Sequence, residues 1–360
     1  MESSDCANPM RSEPMPAKSA TGWLPVDIGF DLQPAVVQEA LVRWMEFGSA
    51  PLAEPFLDHT VDKLRKAAPP VREIDTDLET MLRVSGRRPD VRPAGFIFHL
   101  SHCGSTLIAN ALKTSDRAVV VSESRPISNL LRSRAPVTSP WLAERWERTR
   151  ATLLNSLFTL FAHYRTGEAE PLVIKFVSLD IMGIEWVRSR WPDVPCLVVI
   201  RDPVEVMVTH LKGGGWTSFK DRPELARELF GWTDLPRPVE AMIDEEFCAR
   251  VLGGLCSAAL GAIANAGDEK CMVLDYLDLN PDRMREIGAF FGVELPGDGD
   301  SLDRVFHTYA KDPKKAVRFR DDRELKQKLA TVLVRSAANQ WAMDSYSELR
   351  KRSRARSPRR

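Results

Sequence analysis

The sequence contains no Cys-x-x-Cys pair, no excess of charge of either sign, and no uninterrupted apolar run of the ~18 residues a membrane span needs. Its six cysteines (Cys6, Cys103, Cys196, Cys248, Cys256 and Cys271) are scattered, which argues against a zinc ribbon and a thioredoxin-like redox site. Most lie in apolar segments and read as buried, reduced thiols. Met1 to Ala20 is polar, holds Pro9, Pro14 and Pro16, and lacks the apolar stretch of a signal peptide. The expected location is therefore the cytoplasm. Fifty Lys and Arg balance fifty Asp and Glu, so the overall charge does not point to a nucleic-acid partner. One local exception is Arg350 to Arg360, with seven basic residues and no acid. Such a segment either touches phosphates or is a solvated terminus.

What is present is an ordinary globular composition, 44% apolar and 28% charged over 360 residues. A chain of this length buries a substantial core without disulfides or metals. Its organisation is expected as a disordered stretch at 1–20, a small helical and loop-rich segment at 21–92, a main domain at 93–345, and a basic disordered tail at 346–360. Within 21–92, apolar residues from Pro34 to Phe47 recur at helical spacing, and Pro51, Pro55, Pro69 and Pro70 break the remainder of the segment.

From Ala94 short apolar runs alternate with helical patterns. The runs are 95–100, 118–121, 172–176, 196–200 and 271–274; helices are expected over 141–164, 181–191, 203–211, 244–266, 281–291 and 322–342. Continuous apolar strands between amphipathic helices define an α/β fold with a parallel sheet of about five strands, covered on both faces. In such sheets ligands bind beyond the carboxyl ends of the strands.

Two strand ends carry recognisable chemistry. The run 95–100 leads into Ser101-His-Cys-Gly-Ser-Thr-Leu107 and a helix. Backbone N–H groups at a helix start attract anions, Gly104 allows close approach, and Ser105 and Thr106 add hydroxyls; as an ordinary N-cap the same residues need no ligand. His99 and Ser105 replace the first Gly and the Lys of GxxxxGK[ST], which disfavours ATP or GTP hydrolysis. The run 196–200 ends in Arg201-Asp-Pro203, with Thr209 two helical turns on. Arg201 suits a phosphate or a structural carboxylate. His99 and His102 are three apart across a strand end and do not read as a metal pair.

Taken together these motifs resemble the P-loop sulfotransferases, which use 3′-phosphoadenosine 5′-phosphosulfate. Their phosphosulfate loop corresponds to His102-Cys-Gly-Ser-Thr-Leu107, with His102 in place of Arg or Lys. Their 3′-phosphate motif corresponds to Arg201-Asp-Pro203 with Thr209. Trp191 to Ile200, Leu274 to Pro281, Ile287 to Leu295 and Lys175 extend the resemblance over residues 94–295. Ser122-Glu-Ser-Arg-Pro-Ile127 is similar to a segment of the protein-tyrosine sulfotransferase branch whose second Glu is a catalytic base.

The resemblance implies transfer of a sulfuryl group to a hydroxyl or amine of a small-molecule or peptide acceptor, without a metal. It implies catalytic roles for Glu123 as base, Lys175 at the bridging oxygen, and His102. It implies donor contacts from His102, Cys103, Gly104, Ser105, Thr106, Leu107, Arg201, Thr209, Tyr276 and Lys315, the last in a basic segment that also holds Lys314 and Arg318. Neutral His102 donates one hydrogen bond, and protonation would restore the missing charge. Blander roles stand beside these: Glu123 as a cap paired with Arg125, Lys175 as a strand-end lysine in solvent, Tyr276 as packing. The Gly-rich stretch 212–219 reads as a lid over the acceptor or as a surface loop. The competing functions are an ATP-dependent kinase and a non-catalytic nucleotide-binding module.

Overall fold

A computed structural model describes residues 21–29, 40–69, 71–133, 140–213, 215–266, 268–297, 299–308, 310–311 and 322–355. In chain order its strands are β1 (Trp23–Gly29), β2 (Leu41–Glu46), β3 (Glu73–Asp77), β4 (Gly95–His99), β5 (Val119–Ser122), β6 (Leu172–Lys175), β7 (Cys196–Ile200) and β8 (Cys271–Asp275). Its α-helices are α1 (Leu57–Arg65), α2 (Leu78–Ser85), α3 (Ser105–Leu112), α4 (Arg125–Arg132), α5 (Pro140–His163), α6 (Ile184–Arg190) and α7 (Pro203–Gly213). They continue as α8 (Pro223–Phe230), α9 (Asp244–Ala266), α10 (Pro281–Phe291), α11 (Gly299–His307), α12 (Arg323–Leu329), α13 (Val332–Trp341) and α14 (Met343–Ala355).

The described residues form two compact units. One takes its residues from Met1–Pro51, Val61–Val91 and Arg134–Ala169, the other from Leu52–Thr60, Arg92–Ser133 and Glu170–Arg360. These boundaries differ from a cut near residue 92, because α5 groups with the first unit and residues 52–60 with the second.

The first unit is built on an antiparallel sheet in the order β1-β2-β3, in place of the expected helical and loop-rich segment. The correction falls on β2. Val42 and Trp44 are buried while Leu41 and Arg43 are exposed, an alternation of period two. Apolar residues at 40, 41, 44 and 45 fit a helical period as well. Pairing on both sides decides the matter, since β-branched and aromatic residues pack well on a pleated surface. Trp44 Nε1 donates to Thr76 Oγ1 at 2.9 Å across the β2–β3 pair. Residues 34–39 of the expected helix lie outside the described residues, as do residues 1–20.

The second unit holds the five-stranded parallel sheet, in the order β5-β6-β4-β7-β8. The strands coincide with the five apolar runs read from the sequence, and all five are buried along their length. On one face Ile97, Ile108, Leu112, Leu274, Met284, Ile287 and Phe291 share a core. Elsewhere Phe98 stacks on Phe176 at 4.3 Å, and α9 packs against α6, α7, α13 and α14. By length and composition α9 could cross a membrane, but 61% of its most apolar stretch is buried inside the protein. Here it is a core helix.

Two further expectations change. The helix expected over 322–342 is broken into α12 and α13, because Thr331 caps a new start by accepting from Val334 N–H at 3.2 Å. Residues 346–355, expected as disordered tail, belong to α14. Tyr346, Leu349 and Ser353 are buried, Tyr346 Oη donates to Asp275 Oδ2 at 2.9 Å, and Ser353 Oγ accepts from Asp275 N–H at 3.1 Å. Apolar spacing, not the basic composition, governs this stretch. Residues 356–360 lie outside the described residues.

The α9–α13 approach depends on Gly253, where an added Cβ would lie 2.0 Å from the Trp341 carbonyl oxygen; at Gly254 it would meet nothing within 4 Å. Gly253→Ala is expected to lower the urea midpoint, at a cost of roughly 1–3 kcal/mol for overpacking. Gly254→Ala should leave it unchanged or raise it by up to ~1 kcal/mol, the helix-propensity gain.

Candidate functional site

The chain leaves β4, the middle strand, through a loop of unusual backbone. Ser101 (φ 73°), His102 (φ 48°) and Gly104 (φ 86°) are all left-handed. For Ser101 and His102 this conformation costs energy and needs support. His99 supplies part of it. Its Nε2–H donates to Phe176 O at 3.1 Å, and its Nδ1 accepts from Ser101 N–H at 3.1 Å. His99 is therefore a neutral bracket, and its pKa is driven well below the ordinary value by burial and by Lys175. Ser101 Oγ meets His210 Nε2 at 3.0 Å. His102 O accepts from Arg201 at 3.0 Å. Gly104 is required on two counts: its φ, and Leu279 and Tyr276 side-chain atoms within 2.9 and 3.0 Å of a hypothetical Cβ. The first turn of α3, which follows this loop, adds N–H groups that no helical carbonyl can satisfy.

Across the sheet, Ser122 of β5 is in register with Lys175 of β6, and Glu123 N–H donates to Lys175 O at 2.7 Å. Glu123 is itself left-handed, φ 54°. Its carboxylate joins the Lys175 ammonium through Oε1. His99 Nε2 is 3.7 Å from the same oxygen, and the Phe56 ring centroid lies 5.4 Å from the ammonium. Arg125 pairs with Asp58 at 2.9 Å, so the cap pairing of Glu123 with Arg125 is not the one formed. Lys175 is fully enclosed and does not reach solvent.

Arg201, at the end of β7, is held on every side. It donates to Glu205 at 2.7 Å, to His102 O at 3.0 Å and to Asp322 at 2.7 Å, and lies 4.2 Å from the Tyr276 ring centroid. Burial works against its charge, yet the hydrogen bonds it donates to Asp322 and Glu205 outweigh it and hold the pKa above its ordinary value. Asp322 in turn meets Lys326 at 2.9 Å. Thr209 Oγ1 donates to Glu205 O at 3.0 Å.

A cavity of about 330 Å³ brings these groups together. Of the residues picked from the sequence it is lined by His102, Cys103, Gly104, Ser105, Thr106, Leu107, Glu123, Arg201, Thr209 and Tyr276. Lys175 stands behind Glu123 and is not on the wall. The Cys103 thiol is pushed up to about 11 by burial and stays protonated at neutral pH. Lys314, Lys315 and Arg318 lie outside the described residues. Sequence reasoning missed Lys311, Lys326, Asp322 and Phe56, all of which line the cavity. Lys311 opens the basic run that contains Lys314 and Lys315; the others carry no local signal. Protonation of His102 does not restore a charge to the loop: burial first, then Lys311, lowers its pKa to about 3.

No family model matches the chain, and no curated protein does. Among solved structures it is similar to a sulfotransferase from Alicyclobacillus acidocaldarius, with a TM-score of 0.36 and 14% identity over 71% of this chain and 99% of that one. It is also similar to the sulfotransferase domain of the curacin biosynthetic pathway (TM-score 0.36, 14% identity, 70% and 98% covered). A third is the sulfotransferase domain of the Synechococcus PCC 7002 olefin synthase (TM-score 0.38, 14% identity, 76% and 98% covered). These are distant structural likenesses to sulfotransferases.

The enclosed histidines make stability depend on pH. Burial, followed by Lys311, brings His210 down to about 4, and His102 sits near 3. The unfolded chain takes up these protons near pH 6.5 while the folded chain does not. Stability is therefore complete above about 6.5 and falls as pH drops toward 4, by at most about 1.4 kcal/mol per pH unit for each histidine. His102→Gln should flatten the slope of unfolding free energy between pH 6.5 and 5 in urea titrations. An unchanged slope would mean that His102 titrates normally.

Proposed function

We propose that the protein is a sulfotransferase that moves a sulfuryl group from 3′-phosphoadenosine 5′-phosphosulfate to a hydroxyl or amine of a small-molecule or peptide acceptor. The observation that carries this reading is the convergence of three groups on one cavity: the left-handed loop at the start of α3, the Glu123–Lys175 pair, and Arg201. The loop lacks the lysine of nucleotide triphosphatases, and an arginine stands where a second phosphate of the donor can be gripped.

In this reading the N–H groups at the start of α3, with Ser105 and Thr106, hold the 5′-phosphosulfate. Glu123 takes the proton of the acceptor. The acceptor oxygen or nitrogen forms a bond to sulfur on the face opposite the breaking S–O bond, whose electron pair leaves with the phosphate oxygen. Positioning and electrostatics supply most of the rate. Lys175, enclosed behind Glu123, acts mainly by fixing that carboxylate; contact with the bridging oxygen requires the ion pair to open. Arg201 with Lys326 and Thr209 receives the 3′-phosphate, which takes the place that the half-exposed Asp322 carboxylate occupies. The same arginine holds the His102 carbonyl, so the two ends of the donor are read by one rigid group. The five free cysteines among the described residues are buried, which suits a reducing cytoplasm.

Calorimetry should show adenosine 3′,5′-bisphosphate binding well above ATP, with Arg201→Ala abolishing the preference. Equal or tighter ATP binding would sink the reading. Asp322→Asn should tighten adenosine 3′,5′-bisphosphate by about fivefold, the equivalent of ~1 kcal/mol for a half-exposed pair. Once an acceptor is in hand, Glu123→Gln should lower kcat by roughly 10²–10⁴ while leaving that nucleotide's affinity in place.

A further inference from the structure

We infer that Lys311, from a segment 209 residues further along the chain, supplies the positive charge that His102 does not bring to the anion loop, and that His102 serves to seat it. The inference rests on the anion-binding reading of the loop after β4 and adds to it a residue and a division of labour.

Three observations carry it. First, Lys311 Nζ lies 3.2 Å from His102 Nδ1. An ammonium has only donors, so Nδ1 must be the acceptor. The imidazole is then neutral, and its remaining proton is on Nε2. The loop residue itself is an uncharged ring, oriented by the lysine that stands against it.

Second, the charges on the cavity wall are unequal in their partners. Arg201 is paired with Glu205 and Asp322, and Lys326 with Asp322. Lys175, behind the wall, is paired with Glu123. Among the described residues Lys311 is the lining cation that no carboxylate pairs with; its bonded neighbour is the neutral His102 ring. It is half-buried, and burial lowers its pKa. The Glu123 carboxylate favours its charge from nearby but is bonded to Lys175, so this partly desolvated ammonium forms no ion pair of its own and gains from an anion bound at the start of α3.

Third, the lysine is placed by the loop's own helix. Asn110 of α3 donates through Nδ2 to Ala310 O at 2.8 Å, which fixes the backbone next to Lys311. The helix whose first turn forms the cradle thus also holds the segment that brings the charge. Lys311 Nζ and His102 then form one composite donor for a phosphosulfate or diphosphate group. It performs what a single long cationic side chain in the loop would do, with the charge arriving from outside the loop.

Charge relocation tests this on the full chain, with inorganic pyrophosphate as probe. Wild type, Lys311→Ala, His102→Lys and the double variant Lys311→Ala/His102→Lys would be titrated by calorimetry, with circular dichroism confirming the fold of each. Lys311→Ala is expected to weaken pyrophosphate by roughly tenfold or more, as loss of a charge-assisted contact does. The double variant, which puts the cation back in the loop, is expected to recover most of the loss. Pyrophosphate binding by Lys311→Ala as tight as wild type overturns the inference, as does failure of the double variant to recover, since Lys311 would then matter for packing rather than charge. No pyrophosphate binding by wild type overturns it too. Failure of the donor reading shows elsewhere, as adenosine 3′,5′-bisphosphate binding no better than ATP while pyrophosphate still responds to Lys311.

Discussion

The site is organised around one buried charge. Arg201 is almost fully enclosed, and an enclosed guanidinium is tolerated only where its donors are met. Glu205, one turn further along α7, meets one of them from a position nearly as buried. The His102 carbonyl, Asp322 ahead of α12, and the Tyr276 ring after β8 meet the others. Four separate pieces of chain therefore end against one planar group. Its rigidity fixes the left-handed His102 backbone and, through it, the aim of the loop. Lysine, a point charge on a flexible stem, could not hold that many fixed directions.

Backbone strain is concentrated in the same place. The three non-glycine residues with positive φ among the described residues are Ser101, His102 and Glu123, and all three follow strand ends facing the cavity. Conformations of this kind cost on the order of 1–3 kcal/mol each and persist where surrounding contacts over-determine them. His99 and His210 do this for Ser101, Arg201 for His102, and the Lys175 carbonyl and ammonium for Glu123. The neutrality of the histidines belongs to the same arrangement. Each is used as an oriented donor or acceptor, so the charge beside the loop after β4 is left to lysine and arginine.

Much of this is legible in the sequence because its signals are local. The five apolar runs are the five parallel strands, and Gly104 and Arg201 stand out as residue types suited to a helix-start cradle and a strand-end anion site. Other features have no local signature. Leu41 to Glu46 carries an apolar pattern compatible with two periods, and cross-strand partners choose between them. The basic composition of 346–355 masks the spacing of Tyr346, Leu349 and Ser353 that buries α14. Arg201 in the sequence suits either a phosphate or a structural carboxylate; in the fold it is paired with two carboxylates, the buried Glu205 and the half-exposed Asp322.

By itself the sequence determined the α/β class, the order of the strands along the chain and the residue types at the strand ends, since these depend on periodicity and backbone chemistry over a few neighbouring residues. Only the tertiary structure decided which charges meet. The pairing of Lys175 with Glu123, of Arg201 with Glu205 and Asp322, and of Lys311 with His102 joins residues up to 209 positions apart. Electrostatic energy and desolvation depend on distance in space and on what else is buried nearby. No spacing along the chain records either quantity.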